Sequence, residues 1–178
     1  MWRTDPLSDP KPLIRSVYAY VAYRLGDGPE AEDVTSETFA RALRYRDSFD
    51  PRKGEPIGWL IGIARRCIAD AALSRRPHQE LDDAVEPVAP GDVEADTLRR
   101  IELRQAVATL DEAGRELVAL RFGADLSARQ IAELTGKSTH AVEVALSRTL
   151  DRLRKSMEMP KKPEPRPVRF LAPRRYPG

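Results

Sequence analysis

Val142, Leu146, Leu150, Leu153 and Met157 follow one another at intervals of four, four, three and four residues. That is the 3.6-residue period that gathers apolar side chains on one stripe of an α-helix. The same period recurs earlier in the chain, and no run alternates with period two for long enough to propose a strand. Leu13, Ile14, Val17, Val21 and Leu25 mark a first helix that stops at Gly26-Asp27-Gly28. Pro29 suits the first turn of a second helix, expected to carry Val34, Phe39, Ala42 and Leu43 inward and Glu32, Asp33, Glu37, Arg41 and Arg44 outward. A third opens at Pro56, presents Leu60, Ile63, Ala64, Cys67, Ile68 and Ala71, and ends among Ser74-Arg75-Arg76-Pro77. The expectation is an all-α protein of two small helical domains, each an antiparallel bundle with short connections.

Composition sets the limits. The chain has 178 residues, 41% hydrophobic and 33% charged, enough apolar material for a core and too much for disorder throughout. No stretch approaches eighteen consecutive apolar residues, and the first residues lack the apolar run of a secretory signal, so a soluble, cytoplasmic chain is expected. Cys67 has no cysteine partner, and with only His78 and His140 beside it there are too few soft ligands for zinc. Neither a metal nor any other cofactor is expected.

The formal net charge of +2 conceals a sorting of charge along the chain. Residues 1–76 carry +2, residues 77–97 carry −7, residues 98–159 carry +2 and residues 160–178 carry +5. The acidic strip has few large apolar residues to offset its ordering entropy and reads as a flexible linker. The final segment places six prolines in nineteen residues among six basic ones, which favours extended, solvated chain. The expected organisation is one domain over 11–76, a linker over 77–97, a second domain over 98–157 and a basic Pro-rich tail, expected to be disordered, over 158–178. No internal repeat is apparent.

The second block carries the sharper signal. Ser127-Ala128-Arg129-Gln130 forms a capping box that launches a short helix through Ile131, Ala132 and Leu134 to Gly136, and Ser138 restarts the chain. A helix-turn-helix needs a small residue where its helices cross, a turn residue tolerant of positive φ, and an apolar anchor on the second helix. Ala132, Gly136 and Val142 fill those places. A plain bundle corner satisfies the same pattern. The net charge of +3 over residues 128–157 moves the balance modestly toward nucleic acid.

Taken together, the two blocks resemble a small sigma factor of bacterial RNA polymerase, of the extracytoplasmic-function (ECF) group of the sigma-70 family, over residues 11–156. In the first block the resemblance rests on residues 31–43, Ala-Glu-Asp-Val-Thr-Ser-Glu-Thr-Phe-Ala-Arg-Ala-Leu, and on residues 56–66, Pro-Ile-Gly-Trp-Leu-Ile-Gly-Ile-Ala-Arg-Arg. In the second it rests on Leu110-Asp111, residues 115–122, Leu126-Ser127, residues 130–134, Ala141-Val142-Glu143 and Leu146-Ser147-Arg148. The chain departs from the family pattern at Ser36, where Gln is frequent, and at His140-Ala141-Val142, where a Gly-Thr-Val step is frequent. The second departure puts a bulky, titratable ring at the mouth of the recognition helix.

The resemblance implies a role for each element. Residues 33–46 would dock on the coiled coil of the polymerase β′ subunit through Asp33, Glu37, Arg41 and Arg44; the charges alone equally describe a solvated face. The loop over 47–55 and the following helix would hold the melted minus-ten strand. Phe49 and Trp59 offer aromatic faces there, and Lys53, Arg65, Arg66, Arg75 and Arg76 offer charge for phosphates or stacking. Trp59 between apolar neighbours also fits a core position, and adjacent Arg65 and Arg66 face different ways. The helix from about 138 would enter the major groove at the minus-thirty-five element and present Thr139, His140, Glu143, Val144, Ser147 and Arg148, with Arg129, Lys137 and Arg152 toward phosphates. Arg148 suits guanine and Glu143 suits cytosine, although Glu143 equally suits a neighbouring arginine. The implied partners are core RNA polymerase, promoter DNA and an anti-sigma factor, with the acidic linker directed into the polymerase cleft; the sequence alone equally describes a plain solubilising linker.

Rival readings remain at the level of sequence. A stand-alone helix-turn-helix regulator leaves residues 1–76 without a use. An enzyme acting on nucleic acid would need paired carboxylates, an activated nucleophile or a metal cluster, and none presents itself at workable spacing, so no enzymatic activity is expected. An adaptor binding a partner helix overlaps with the sigma reading through the anti-sigma factor.

Overall fold

The computed structural model describes residues 5–75 and 94–158, without the side chains of residues 75, 94–100 and 158. The expected linker up to residue 93, Arg76, and the tail from residue 159 lie outside the described residues. Among the described residues there are seven α-helices and no β-strand: α1 Pro10–Leu25, α2 Pro29–Tyr45, α3 Pro56–Arg75, α4 Glu94–Ala108, α5 Glu112–Val118, α6 Ala128–Thr135 and α7 Thr139–Glu158. Short 3₁₀ turns, Arg46–Ser48 and Pro51–Lys53, join α2 to α3, and a single wide π turn, Ala119–Gly123, continues α5.

The helix ends follow local chemistry. α1 stops where Gly26 takes φ 92°, and α2 starts with Pro29 in its first turn. Asp111 caps α5 by accepting a hydrogen bond from the Gly114 N–H. Ser127 and Gln130 complete the capping box of α6, which ends at Gly136 in the left-handed conformation, φ 70°. The Ser138 hydroxyl accepts from the Ala141 N–H at 3.2 Å and opens α7. Two sequence expectations need correction. Helix α4 begins at Glu94, so residues 94–97 belong to a helix and not to the linker. Leu43, placed inward from its spacing, is 58% exposed, because α1 and α3 cover only the Val34, Thr38 and Ala42 side of α2.

The two blocks share one core. Val17, Tyr20 and Val21 of α1, Leu60 and Ile61 of α3, Leu120, Leu126, Ile131 and Val142 belong to a single buried apolar cluster. A smaller cluster of Ala106, Val107, Leu110, Val118 and Leu153 ties α4 to α7. The π turn lies directly on α1. Gly123 makes that approach possible, since a Cβ built there would stand 2.8 Å from the backbone N and Cα of Tyr20. Each fully buried aliphatic side chain contributes about 2 kcal/mol. An exposed ion pair such as Arg104–Asp27, at 2.7 Å, adds about 0–1 kcal/mol. The apolar seam therefore carries most of the attachment between the blocks, and the polar contacts fix its register.

Candidate nucleic-acid interface

Helices α6 and α7 form the helix-turn-helix. Ala132 is buried at the crossing, Gly136 supplies the positive φ of the turn, and Val142 and Leu146 anchor α7 inward. The buried Thr149 hydroxyl donates to the Ala145 carbonyl within the same helix at 2.8 Å. The opposite face of α7 is open: Thr139, His140, Glu143, Ser147 and Arg148 are exposed and Val144 is half-buried. Lys137 is exposed in the turn. Arg129 pairs with Glu133 at 3.0 Å, and Arg152 pairs with Asp111 at 3.3 Å. The six groove-facing residues proposed from sequence thus share one face of one helix, flanked by basic side chains. The cap hydrogen bond from Gly114 and the Arg152 guanidinium hold the Asp111 carboxyl below the usual carboxylate range.

The minus-ten candidates are distributed differently. Lys53 is exposed on the second 3₁₀ turn, and Arg65 and Arg66 are exposed on α3. Phe49, expected to offer a free ring, is only 8% exposed, and its ring lies 5.6 Å from that of Trp59 at 57°. Burial between the loop and α3 makes Phe49 a packing residue in this arrangement, while Trp59 is half-buried against the main core. Asp50 accepts from the Arg52 N–H at 3.1 Å and pairs with the Arg52 guanidinium, and these bonds lower its carboxyl to about 2. The side chain of Arg75 and the whole of Arg76 lie outside the described residues.

On α2, Asp33, Glu37 and Arg44 are exposed. Arg41 is half-buried: it pairs with Glu37 one turn away at 2.6 Å and with Asp70 of α3 at 2.7 Å, and these bonds raise its already high pKa further. It therefore fastens α2 to α3 as well as contributing to the charged face. Glu37, Arg41, Arg44, Tyr45, Ile63 and Arg66 line a shallow pocket of about 420 Å³. Tyr45 and Leu43, 54% and 58% exposed, put apolar surface on the same helix as these charges.

One polar cluster was not foreseen. The Tyr20 hydroxyl donates to both carboxylate oxygens of Glu116, at 3.1 and 3.2 Å. Arg24 and Arg65 each bring their Nε to 3.1 Å from the same carboxylate, and Arg24 also pairs with Glu112. Burial first, and then the Glu116 charge, push the Tyr20 phenol far above its ordinary range, so it remains a proton donor. Tyr20 and Glu116 lie 96 residues apart in sequence, and no local pattern signals such a pairing.

The α6–α7 arrangement, with one open face on α7, has the geometry of a helix-turn-helix protein. Comparison with known proteins narrows this class. The "Sigma-70 region 2" family matches residues 11–78, and the "Sigma-70, region 4" family matches residues 100–153. The ECF RNA polymerase sigma factor SigD of Mycobacterium bovis is 34% identical over 158 residues, covering 78% of this chain and 70% of that protein. BldN of Streptomyces coelicolor, also an ECF RNA polymerase sigma factor, is 37% identical over 147 residues; the match covers 78% of this chain but only 56% of BldN. In three dimensions the chain is similar to the sigma factor RpoE of Bartonella quintana, solved with the anti-sigma factor NepR, with a TM-score of 0.64 at 19% identity over 82% of this chain and 91% of that one. The chain belongs to the ECF group of the sigma-70 family of RNA polymerase sigma factors.

Proposed function

We propose that this chain binds core RNA polymerase and directs promoter-specific transcription initiation, with no enzymatic activity of its own. The observation that carries the reading is the order of the two matched regions, region 2 then region 4, on a chain whose second region presents one open face of α7. In this reading Asp33, Glu37, Arg41 and Arg44 contact the β′ coiled coil, with Leu43 and Tyr45 adding apolar area. Lys53, Trp59, Arg65, Arg66, Arg75 and Arg76 serve the minus-ten strand, while Phe49 supports Trp59 from behind. Arg148 and its neighbours on α7 read the minus-thirty-five element, with Arg129, Lys137 and Arg152 on phosphates.

Transcription places the chain in the cytoplasm, and the described residues contain no helix long and apolar enough to cross a membrane, which is compatible with that placement. An anti-sigma factor is the natural antagonist, by analogy with the RpoE–NepR pair. The test is co-elution of the purified chain with sigma-free bacterial core polymerase in size-exclusion chromatography, beside a variant lacking residues 160–178. A stable complex supports the reading. Failure of both forms, under conditions where another ECF sigma factor co-elutes, overturns it in favour of a stand-alone helix-turn-helix regulator.

A further inference from the structure

We propose that Glu143 is a specificity-determining residue of α7 that acts chiefly by excluding wrong bases. Its free carboxylate selects a base that presents an exocyclic amine, the N4 of cytosine or the N6 of adenine, on the strand opposite the one read by Arg148, and it lowers affinity for every other sequence. The inference rests on the reading of α7 as the minus-thirty-five helix and adds which base chemistry one position demands.

Three observations carry it. The first is a matter of pairing. Seven carboxylates lie between residues 111 and 151, and six of them hold an arginine. The Glu143 side chain alone has no ion pair or hydrogen bond among the described residues. The cause is local. Ion pairs on a helix form between residues three or four apart. Around Glu143 those positions hold Thr139, His140, Leu146 and Ser147, none of them lysine or arginine. Glu133, by contrast, has Arg129 four residues before it and pairs with it at 3.0 Å.

The second is the geometry of the open face. Arg148 is unpaired as well, because Asp151, one turn ahead of it, holds Arg154 at 3.1 Å. At about 100° and 1.5 Å per residue, Glu143 and Arg148 stand about 140° apart around α7 and about 7.5 Å apart along it. Both are exposed, while Val142 and Leu146 fix the other side of the helix in the core. The two charges therefore occupy opposite flanks of one face, with His140 and Val144 between them. A helix in a major groove about 12 Å wide turns its flanks toward different strands. The carboxylate and the guanidinium thus address opposite strands, about two base-pair steps apart at about 3.4 Å per step.

The third is electrostatic. A carboxylate carried between two phosphate backbones is repelled, so Glu143 weakens binding to duplex of any sequence. Only a hydrogen-bond donor on a base edge offsets that penalty, and the donors in the major groove are the amines of cytosine and adenine. Guanine turns N7 and O6 to the groove and thymine turns O4. These acceptors leave the carboxylate desolvated and unpaired. Glu143 accordingly supplies the repulsive half of specificity and Arg148 the attractive half.

The test sequences the duplexes recovered from a random-sequence pool by the full chain, both alone and assembled with core polymerase. The enriched motif is expected to contain one position, about two steps from the position lost in Arg148→Ala, at which cytosine or adenine is preferred by about tenfold or more. Glu143→Ala is expected to make that position indifferent and to keep the rest of the motif. It is also expected to bind an unrelated duplex more tightly, by roughly twofold or more, with a steeper dependence on salt. Glu143→Gln separates the two amines. Glutamine pairs bidentately with adenine, so a cytosine position shifts to adenine and an adenine position stays. Both variants are expected to bind core polymerase as the unmodified chain does.

A motif unchanged by Glu143→Ala, or weakened evenly at every position, overturns the proposal and leaves the minus-thirty-five reading of α7 standing. Loss of polymerase affinity with the motif intact overturns it as well, by placing Glu143 on the polymerase. If the unmodified chain enriches no motif in either form, the reading of α7 and the proposal fall together.

Discussion

The rings of Phe49 and Trp59 lie 5.6 Å apart and tilted by 57°, pinning the loop after α2 to the first turn of α3. Aromatic pairs in this geometry contribute beyond the area they bury. Phe49→Ala is expected to destabilise the protein by about 3 kcal/mol, at the low end for a buried phenylalanine because the site lies near the surface. It is also expected to shift Trp59 emission to longer wavelength. Urea unfolding followed by fluorescence and circular dichroism checks both effects, and a stability change under about 1 kcal/mol would contradict the packing role.

Arg148 stands exposed on α7, away from the Val142–Leu146 anchor. Arg148→Ala is expected to leave polymerase binding unchanged and to lower transcription from a minus-thirty-five-dependent promoter by roughly tenfold, which corresponds to about 1.4 kcal/mol, within the range of one good base contact. Equal loss of polymerase affinity and of transcription would remove Arg148 from the reading face.

Reversing the charge of Asp33 and Glu37 together tests the other interface. Because Glu37 also holds Arg41, which in turn holds Asp70, the double reversal is expected to weaken the polymerase complex while perturbing fold stability only slightly. The dissociation constant for core polymerase checks it, with thermal unfolding as the control. An unchanged constant would make this face a solvated one.

The capping box is exposed enough to be altered without disturbing the core. Ser127→Ala removes the acceptor for the Gln130 N–H and is expected to cost about 1 kcal/mol of stability. Thermal unfolding with amide exchange in α6 measures it; a loss confined to α6 would match the local role of the cap.

Asp50 and Asp111 predict the acid limb of stability. Both carboxyls are held below their ordinary value of 3.8, Asp50 at about 2. Their folded pKa lies below the unfolded one, so their contribution is complete above the unfolded value. It is lost as pH falls from about 4 toward 2. Asp111→Asn is expected to flatten the dependence of stability on pH in that window and to leave the slope above pH 5 unchanged.

Much of the fold was legible because its signals are local. Gly26 and Gly136 end helices where the apolar period stops, Pro29 and Ser138 begin them, and the Ser127–Gln130 reciprocity is written in four consecutive residues. The open face of α7 follows from the positions of Val142 and Leu146 alone. Where local spacing and structure differ, a tertiary effect decides. Leu43 has the spacing of a buried residue, but among the described residues no neighbouring helix covers its side of α2. Phe49 sits in a charged loop, and only the position of Trp59 shows that its ring is covered. The Tyr20–Glu116 cluster joins residues with no proximity in sequence, and a tyrosine within an apolar helix gives no sign of which carboxylate it will meet. The first turn of α4 belongs to the acidic strip by charge and to the helix by structure.

The most direct test of the account is promoter-dependent transcription reconstituted from sigma-free core polymerase, this chain and a panel of promoter duplexes. Specific transcripts that require the chain are expected, falling with Arg148→Ala and again when Asp33 and Glu37 are reversed. Duplex binding by the chain alone, with no transcript under conditions where another ECF sigma factor supports initiation, would contradict it.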